Sequence, residues 1–250
     1  MSKRVMLKTI VYILTLTCLS FVPDAFADGA DRNCYDDNAC ISRLLEETLE
    51  NLENKSWRDQ GYRDLAEMYV LQNRPGEALN AIAKINNPDT RAMAIRKSAT
   101  AVSEIEAADP EKAKMFEMFE QASKAIQHHP SMEIALTYLS IAMAEAGLFE
   151  ESANAVPDIT NVSLRNKAYA EIAEVQARHK NGTLAIQNIK KIETESFRNQ
   201  AAKRVAGVLA KHNDFKSAIQ ITEIISNSAH KAATLQGILG LRIQKNKGEK

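Results

Sequence analysis

The strongest constraint in this chain is a recurrence. Ser163-Leu-Arg-Asn-Lys-Ala168 returns as Ser196-Phe-Arg-Asn-Gln-Ala201, 33 positions on, and Ile172-Ala173 returns as Val205-Ala206 with the same shift. A fixed period of this length means that one supersecondary unit is stacked repeatedly, each copy covering the apolar face its neighbour cannot bury alone. The register extends to a column made of Arg58, Arg91, Met132, Arg165, Arg198 and Lys231, so units begin near 59, 92, 133, 166, 199 and 232. Four spacings are 33, and the unit from Ala92 to Met132 is 41 residues long. Its surplus falls at Ala108-Asp109-Pro110-Glu111, where Asp109 is expected to cap and Pro110 to open a lengthened second helix.

Within a unit the pattern is that of two helices. The first carries apolar or small residues at steps of three and four, as in Tyr62, Leu65, Ala66 and Tyr69, or Leu136, Leu139, Ser140 and Met143. Turn formers follow: Asn73-Arg74-Pro75, Gly147-Leu148-Phe149 and Asn213-Asp214-Phe215. Small residues stand 12 apart, Ala66 with Ala78, Ser140 with Ser152, Ala173 with Ala185 and Ala206 with Ala218, which lets the two helices of a pair approach closely. Ser56, Asp89, Ser163 and Ser196 precede the helical patterns and are expected to be N-caps. Residues 39–55 read as an amphipathic capping helix with Ile41, Leu44, Leu45, Leu49 and Leu52 on one side; residues 232–244 read as a closing helix and 245–250 as a basic, disordered tail.

These residues carry a resemblance. An aromatic, a Leu-small pair and a second aromatic, then a turn, then an Ala 12 positions beyond the small residue, resembles the tetratricopeptide repeat. Tyr62, Leu65, Ala66, Tyr69, Ala78, Ile82 and Ile85, with Pro88 near the unit's end, carry it best, and Asn213, Asp214, Phe215 and Ala218 carry the turn. The likeness covers residues 56–250, although the period is 33 and the closing Pro is missing from most units. It implies an all-α, right-handed solenoid of helical hairpins whose first helices line a groove for a partner protein or peptide. Projected onto this chain, the groove presents Arg63, Arg96, Lys97, Tyr138, Lys203 and Arg204, with Glu67, Thr100, Thr137 and Glu174 beside them.

The first residues describe an exported protein. Lys3, Arg4 and Lys8 precede an apolar run from Ile10 to Val22 and then Ala25-Phe26-Ala27, the three regions of a signal peptide, with cleavage expected after Ala27 and a periplasmic or secreted destination. The run is too short to span a bilayer, which needs roughly 20 apolar residues. Without residues 1–27 the chain keeps 29 Lys and Arg against 31 Asp and Glu, a balance that argues against nucleic acid as partner. Cys34 and Cys40 remain, in the segment 28–55, and in a compartment that permits disulfides they are expected to be bonded.

No motif for catalysis, cofactor or metal emerges. His128 and His129 beside Pro130 are expected to end a helix; His179 and His212, 33 apart, could face one another but are better read as helix-end residues. Acidic pairs such as Glu46-Glu47 and Glu150-Glu151 read as solvated surface. The cationic column at helix starts opposes the macrodipole. The expected offset is pairing with loop carboxylates such as Asp89, Asp158, Glu193 or Glu195, the alternative a ladder for an anionic partner. The sequence therefore predicts a binding scaffold rather than an enzyme. Its rivals are a self-assembling envelope subunit and, more remotely, an enzyme acting on peptidoglycan.

Overall fold

A computed structural model describes residues 34–248, and among them every regular element is a helix. The signal peptide expected over 1–27 lies outside the described residues. The chain divides into two units between Arg43 and Leu44. In the described part of the first, a 3-10 turn at Cys34–Asp36 leads into α1, Asn38–Glu50. Cys34 and Cys40 stand at disulfide distance with Cα atoms 5.2 Å apart, as expected for a bonded pair.

The second unit contains the rest of α1 and eleven further helices: α2 (Lys55–Leu71), α3 (Pro75–Ala83), α4 (Pro88–Glu104), α5 (Asp109–Lys124), α6 (His129–Glu145), α7 (Phe149–Ala155), α8 (Val162–Arg178), α9 (Gly182–Lys190), α10 (Glu195–Lys211), α11 (Phe215–Thr222) and α12 (Ser228–Gly248). The even-numbered helices pack on one another in order from α2 to α12, and each of α2, α6, α8 and α10 also packs on the shorter helix after it. The small residues predicted at those pairings, Ala66, Ala78, Ser140, Ser152, Ala173, Ala185, Ala206 and Ala218, are all fully buried. Ser152 Oγ donates to the Ser140 carbonyl oxygen at 2.7 Å, so the two helices touch at that point.

Local chemistry explains where the long helices begin and end. Asn54, Asn87, Asn161 and Asn227 each accept from the backbone N–H three residues on, at 2.9 to 3.1 Å, and so satisfy donors that a helix start leaves free. These are the caps. Ser56, Asp89, Ser163 and Ser196, expected in that role, lie inside the helices instead. Asn87 fits for a second reason, because Pro88 at the first helical position has no N–H to waste. The long helices start at 55, 88, 129, 162, 195 and 228, four residues before the points read from the recurrence, those at 129 and 195 without a side-chain cap bond.

Their ends repeat just as closely. Asn73, Gly147, Lys180 and Asn213 adopt φ of 58°, 85°, 59° and 66°, and in each case the next N–H reaches back five residues, as Asn181 N does to the Gln176 carbonyl at 2.8 Å. This left-handed closure turns the chain sharply into the short helix. Only α4 among these departs from it. Ile105 is extended there, and α5 runs for 16 residues where α3 and α9 have nine, which places the surplus of the long unit. Asp109 is the first residue of α5 and makes no capping bond; Ala108 occupies the cap.

Two further expectations are corrected. His128 and His129 open α6 rather than ending α5, which stops at Lys124, because Pro130 is admissible in the first turn of a helix and disruptive in its interior. The tail read as disordered from 245 continues α12 to Gly248. At the other end, Leu49 and the partly buried Leu45 and Leu52 join the core. Lys84 Nζ donates to Glu46 and Glu50 at 2.8 and 2.6 Å. Tyr69 Oη donates to Glu46 at 3.0 Å, and burial together with that carboxylate pushes the phenol up to about 12.

Candidate functional site

The residues projected to form a groove all lie on long helices: Arg63 on α2, Arg96 and Lys97 on α4, Tyr138 on α6, Lys203 and Arg204 on α10. All of them except Lys203 make ionic or aromatic contacts, in three separate groups, that the sequence did not suggest. Arg63 pairs with Asp64 at 2.9 Å, and Lys97 reaches back to Asp64 at 3.1 Å and to Glu67 at 2.7 Å. Those bonds hold the Asp64 carboxyl below, and the Lys97 ammonium above, their ordinary ranges.

In the second group the Arg96 guanidinium lies over the Tyr138 ring, 3.8 Å from its centroid. Lys167 stands over the same ring at 4.7 Å and donates to Tyr138 Oη at 2.9 Å, a bond that raises its pKa. The ring quadrupole favours the Arg96 contact, and the Lys167 bond holds the hydroxyl end of the same ring. Further on, Glu174 meets Arg204 at 3.6 Å and Arg178 at 3.9 Å, and Arg178 also pairs with Glu145. These four charged positions, with Glu171, Ile141 and Val175, line a recess of about 320 Å³. Lys203 and Arg204 are exposed. Thr137 does not belong to the face: it is fully buried and its Oγ donates to the Glu133 carbonyl at 2.7 Å.

The cationic column has a different role from the one expected. Arg91 binds the Ile85 carbonyl, Arg165 the Ile159 carbonyl at 2.6 Å and Arg198 the Ile192 carbonyl at 2.8 Å, each six residues upstream. The acceptors follow the end of the preceding short element, where helix carbonyls lack partners and carry the negative end of the dipole. Carboxylate pairing is secondary, found as Arg165 with Glu193 and Lys231 with Glu223. Lys231 uses the carboxylate of the loop just before its own helix, as expected, whereas Arg165 uses Glu193 of the following loop.

Behind the face lies a second column that sequence reasoning missed. Asp59, Glu133, Asn166 and Asn199 are 5 % exposed or less. Each accepts from backbone N–H groups at the start of the next long helix: Asp59 from Asn86 and Asn87, Glu133 from Thr160 and Asn161, Asn166 from Glu193 and Asn199 from Ser226, at 2.6 to 3.2 Å. Burial pushes the Glu133 carboxyl up, but the hydrogen bonds from Thr160 and Asn161 outweigh it and hold the group below the ordinary glutamate range. The signal was present, since the Asn of both Arg-Asn pairs in the recurring segment is the residue concerned.

Among the described residues no group of three His, Cys, Asp or Glu could hold a metal ion, and no helix is long and apolar enough to cross a membrane. His179 and His212 occupy the C-cap positions of α8 and α10, and His179 packs edge-on against Phe149, ring centroids 5.5 Å apart. Comparison with protein-family models, with curated proteins and with solved structures gives no match to this chain.

Proposed function

We propose that residues 56–248 form a right-handed, tetratricopeptide-like solenoid of helical hairpins, and that the protein is an exported scaffold binding a partner protein or peptide along its long helices, without catalysis or cofactor. The solenoid reading rests on the long helices packing in sequence order and on starts that repeat at 33-residue steps wherever the long unit does not intervene. Export to the periplasm or beyond rests on the residues before Asp28, and soluble export fits the charge balance of the remainder.

The observation that carries the binding role is Tyr138, half-buried, with Arg96 over its ring and Lys167 bonded to its hydroxyl. Tyrosine is enriched at interface hot spots and, with few side-chain torsions, brings large, amphipathic contact area at small entropic cost. A ring already fixed by two cations has lost that entropy before a partner arrives. The test is affinity co-purification from the envelope fraction with the mature wild type and with a Tyr138→Ala/Lys203→Glu/Arg204→Glu variant, followed by binding of the purified candidate. A partner captured by the wild type and lost from a folded variant supports the reading; equal capture by both overturns it.

A second reading is self-association, favoured by a specific feature of α12. Leu235, Leu239 and Ile243 are 37 %, 57 % and 47 % exposed, in a stripe at four-residue steps. Ala202, Ala206 and Ala210, 33 residues earlier in α10, are buried. Light scattering on the mature protein separates a monomeric adaptor from a subunit that pairs through this stripe, and Leu239→Lys should return an oligomer to the monomer.

A further inference from the structure

Gln176 on α8 and Asn188 on α9 break a pattern held elsewhere along the chain. The residues 33 before and 33 after Gln176 are Met143 and Leu209, and those around Asn188 are Ala155 and Ile221, all four buried and apolar. Gln176 and Asn188 are buried as well, at 0 % and 3 % exposure. Asn188 Nδ2 donates to Gln176 Oε1 at 2.9 Å, yet Gln176 Nε2 and Asn188 Oδ1 have no hydrogen-bond partner in the protein. A buried amide left half-satisfied is destabilising, and an apolar pair serves the same positions in the neighbouring helices. The stacking of helices therefore does not account for these two residues.

Both line a cleft of about 490 Å³ between α7, the end of α8 and α9. Its walls include Leu148, Phe149 and Leu184, and exposed Glu151 and Lys191 stand at its edge. We propose that this cleft is a binding site for a peptide presenting an asparagine or glutamine side chain beside an apolar residue, with Gln176 and Asn188 as its recognition pair. The leftover groups are one N–H donor and one carbonyl acceptor, and reversing both amides leaves the same set. A primary carboxamide offers an acceptor and a donor side by side and satisfies both. A carboxylate would face the Asn188 oxygen with a lone pair, an ammonium would leave the Gln176 donor unmet, and a trans peptide group points its N–H and C=O in opposite directions. This site lies on the short-helix side and does not depend on the binding role proposed for Tyr138.

The test is a titration of ¹⁵N-labelled protein with N-acetyl-Leu-Asn-N-methylamide, read at the side-chain NH₂ signals of Gln176 and Asn188. The Asp and Leu analogues of the same dipeptide serve as comparisons. The expected result is a saturable shift of both signals and of the backbone amides of Leu148 and Leu184 with the Asn peptide, at least about tenfold weaker binding of the analogues, and loss of the backbone-amide response in Gln176→Met/Asn188→Ala. That variant takes the residues found at 143 and 155; should it fail to fold, the three peptides on the wild type decide alone. No shift at millimolar Asn peptide, or equal shifts with the Leu peptide, would overturn the proposal and leave the pair as the seat of an internal water.

Discussion

Asn166 in α8 and Ala92 in α4 are each the fifth residue of a long helix, and the two joints they sit in are built differently. Asn166 is buried, accepts from Glu193 N and donates to Thr194 Oγ, so α8 is bonded internally to the entry of α10. Ala92 has nothing to offer. The α4 to α6 joint is made instead at the helix starts, where Ser131 Oγ donates to Asp89 at 2.5 Å and faces His128 Nδ1 at 2.6 Å. Asp89 is 73 % exposed and His128 52 %. A lengthened α5 thus coincides with a joint whose donor, Ser131, is buried but whose acceptor, Asp89, faces solvent, and the neighbouring joints, through Asp59 and Glu133, keep the fully buried form. The lesson is that the buried acceptor at position five belongs to the regular spacing, and that water competes for the bond where the spacing fails.

The contrast can be broken most forcefully at Glu133. Glu133→Ala leaves Thr160 N, Thr160 Oγ and Asn161 N without their acceptor and should cost about 3 kcal/mol in urea unfolding, with Glu133→Gln recovering part of it. A loss under about 1 kcal/mol would mean that water fills the joint and that burial is not what distinguishes it. Next comes Ala206→Leu, which overpacks the α10 to α11 contact by about 1 to 3 kcal/mol while leaving every joint between long helices intact. Asn166→Ala should cost about 1.5 kcal/mol.

Acid sharpens the comparison without mutation. The Glu133 carboxyl is lowered in the folded protein, so its contribution is complete above the ordinary glutamate value of 4.5 and is lost as pH falls through the lower folded value. The amides of Thr160 and Asn161 should lose hydrogen-exchange protection over that window, after correction for intrinsic rates. Those of Glu193 and Ser226, held by Asn166 and Asn199, should not. Parallel loss at all four would mean that the acid response is global. The smallest effect is expected for Ser131→Ala, about 0.5 kcal/mol in the same urea assay, because the bond it removes is part-exposed.

Much of the helical pattern was legible because it rests on short-range geometry. Apolar residues at three- and four-residue steps and small residues 12 apart identify which sides of two helices meet, and Tyr62, Leu65, Ala66 and Ala78 are buried accordingly. Helix starts were misplaced because Asn54 and Asn87 compete with Ser56 and Asp89 two residues later as side-chain acceptors, and composition alone does not rank them. Lys180 was not recognised as a turn residue because its left-handed φ is imposed by the closure, not favoured by its side chain. The face itself was legible only as a set of positions. Lys167 was omitted from it, although its bond to Tyr138 spans 29 residues and arises only when α6 and α8 lie side by side.

The placement of the buried column has a mechanical consequence. Asp59, Glu133, Asn166 and Asn199 all bond near the starts of the long helices, so four of the joints are pinned at one edge of the stack. Towards the opposite edge, α6 and α8 are joined by Arg178 and Glu145, an ion pair 42 % exposed on both sides, whose strength water and salt reduce. Added salt should therefore weaken the outer tie between α6 and α8 while leaving the buried Glu133 bonds at their starts in place.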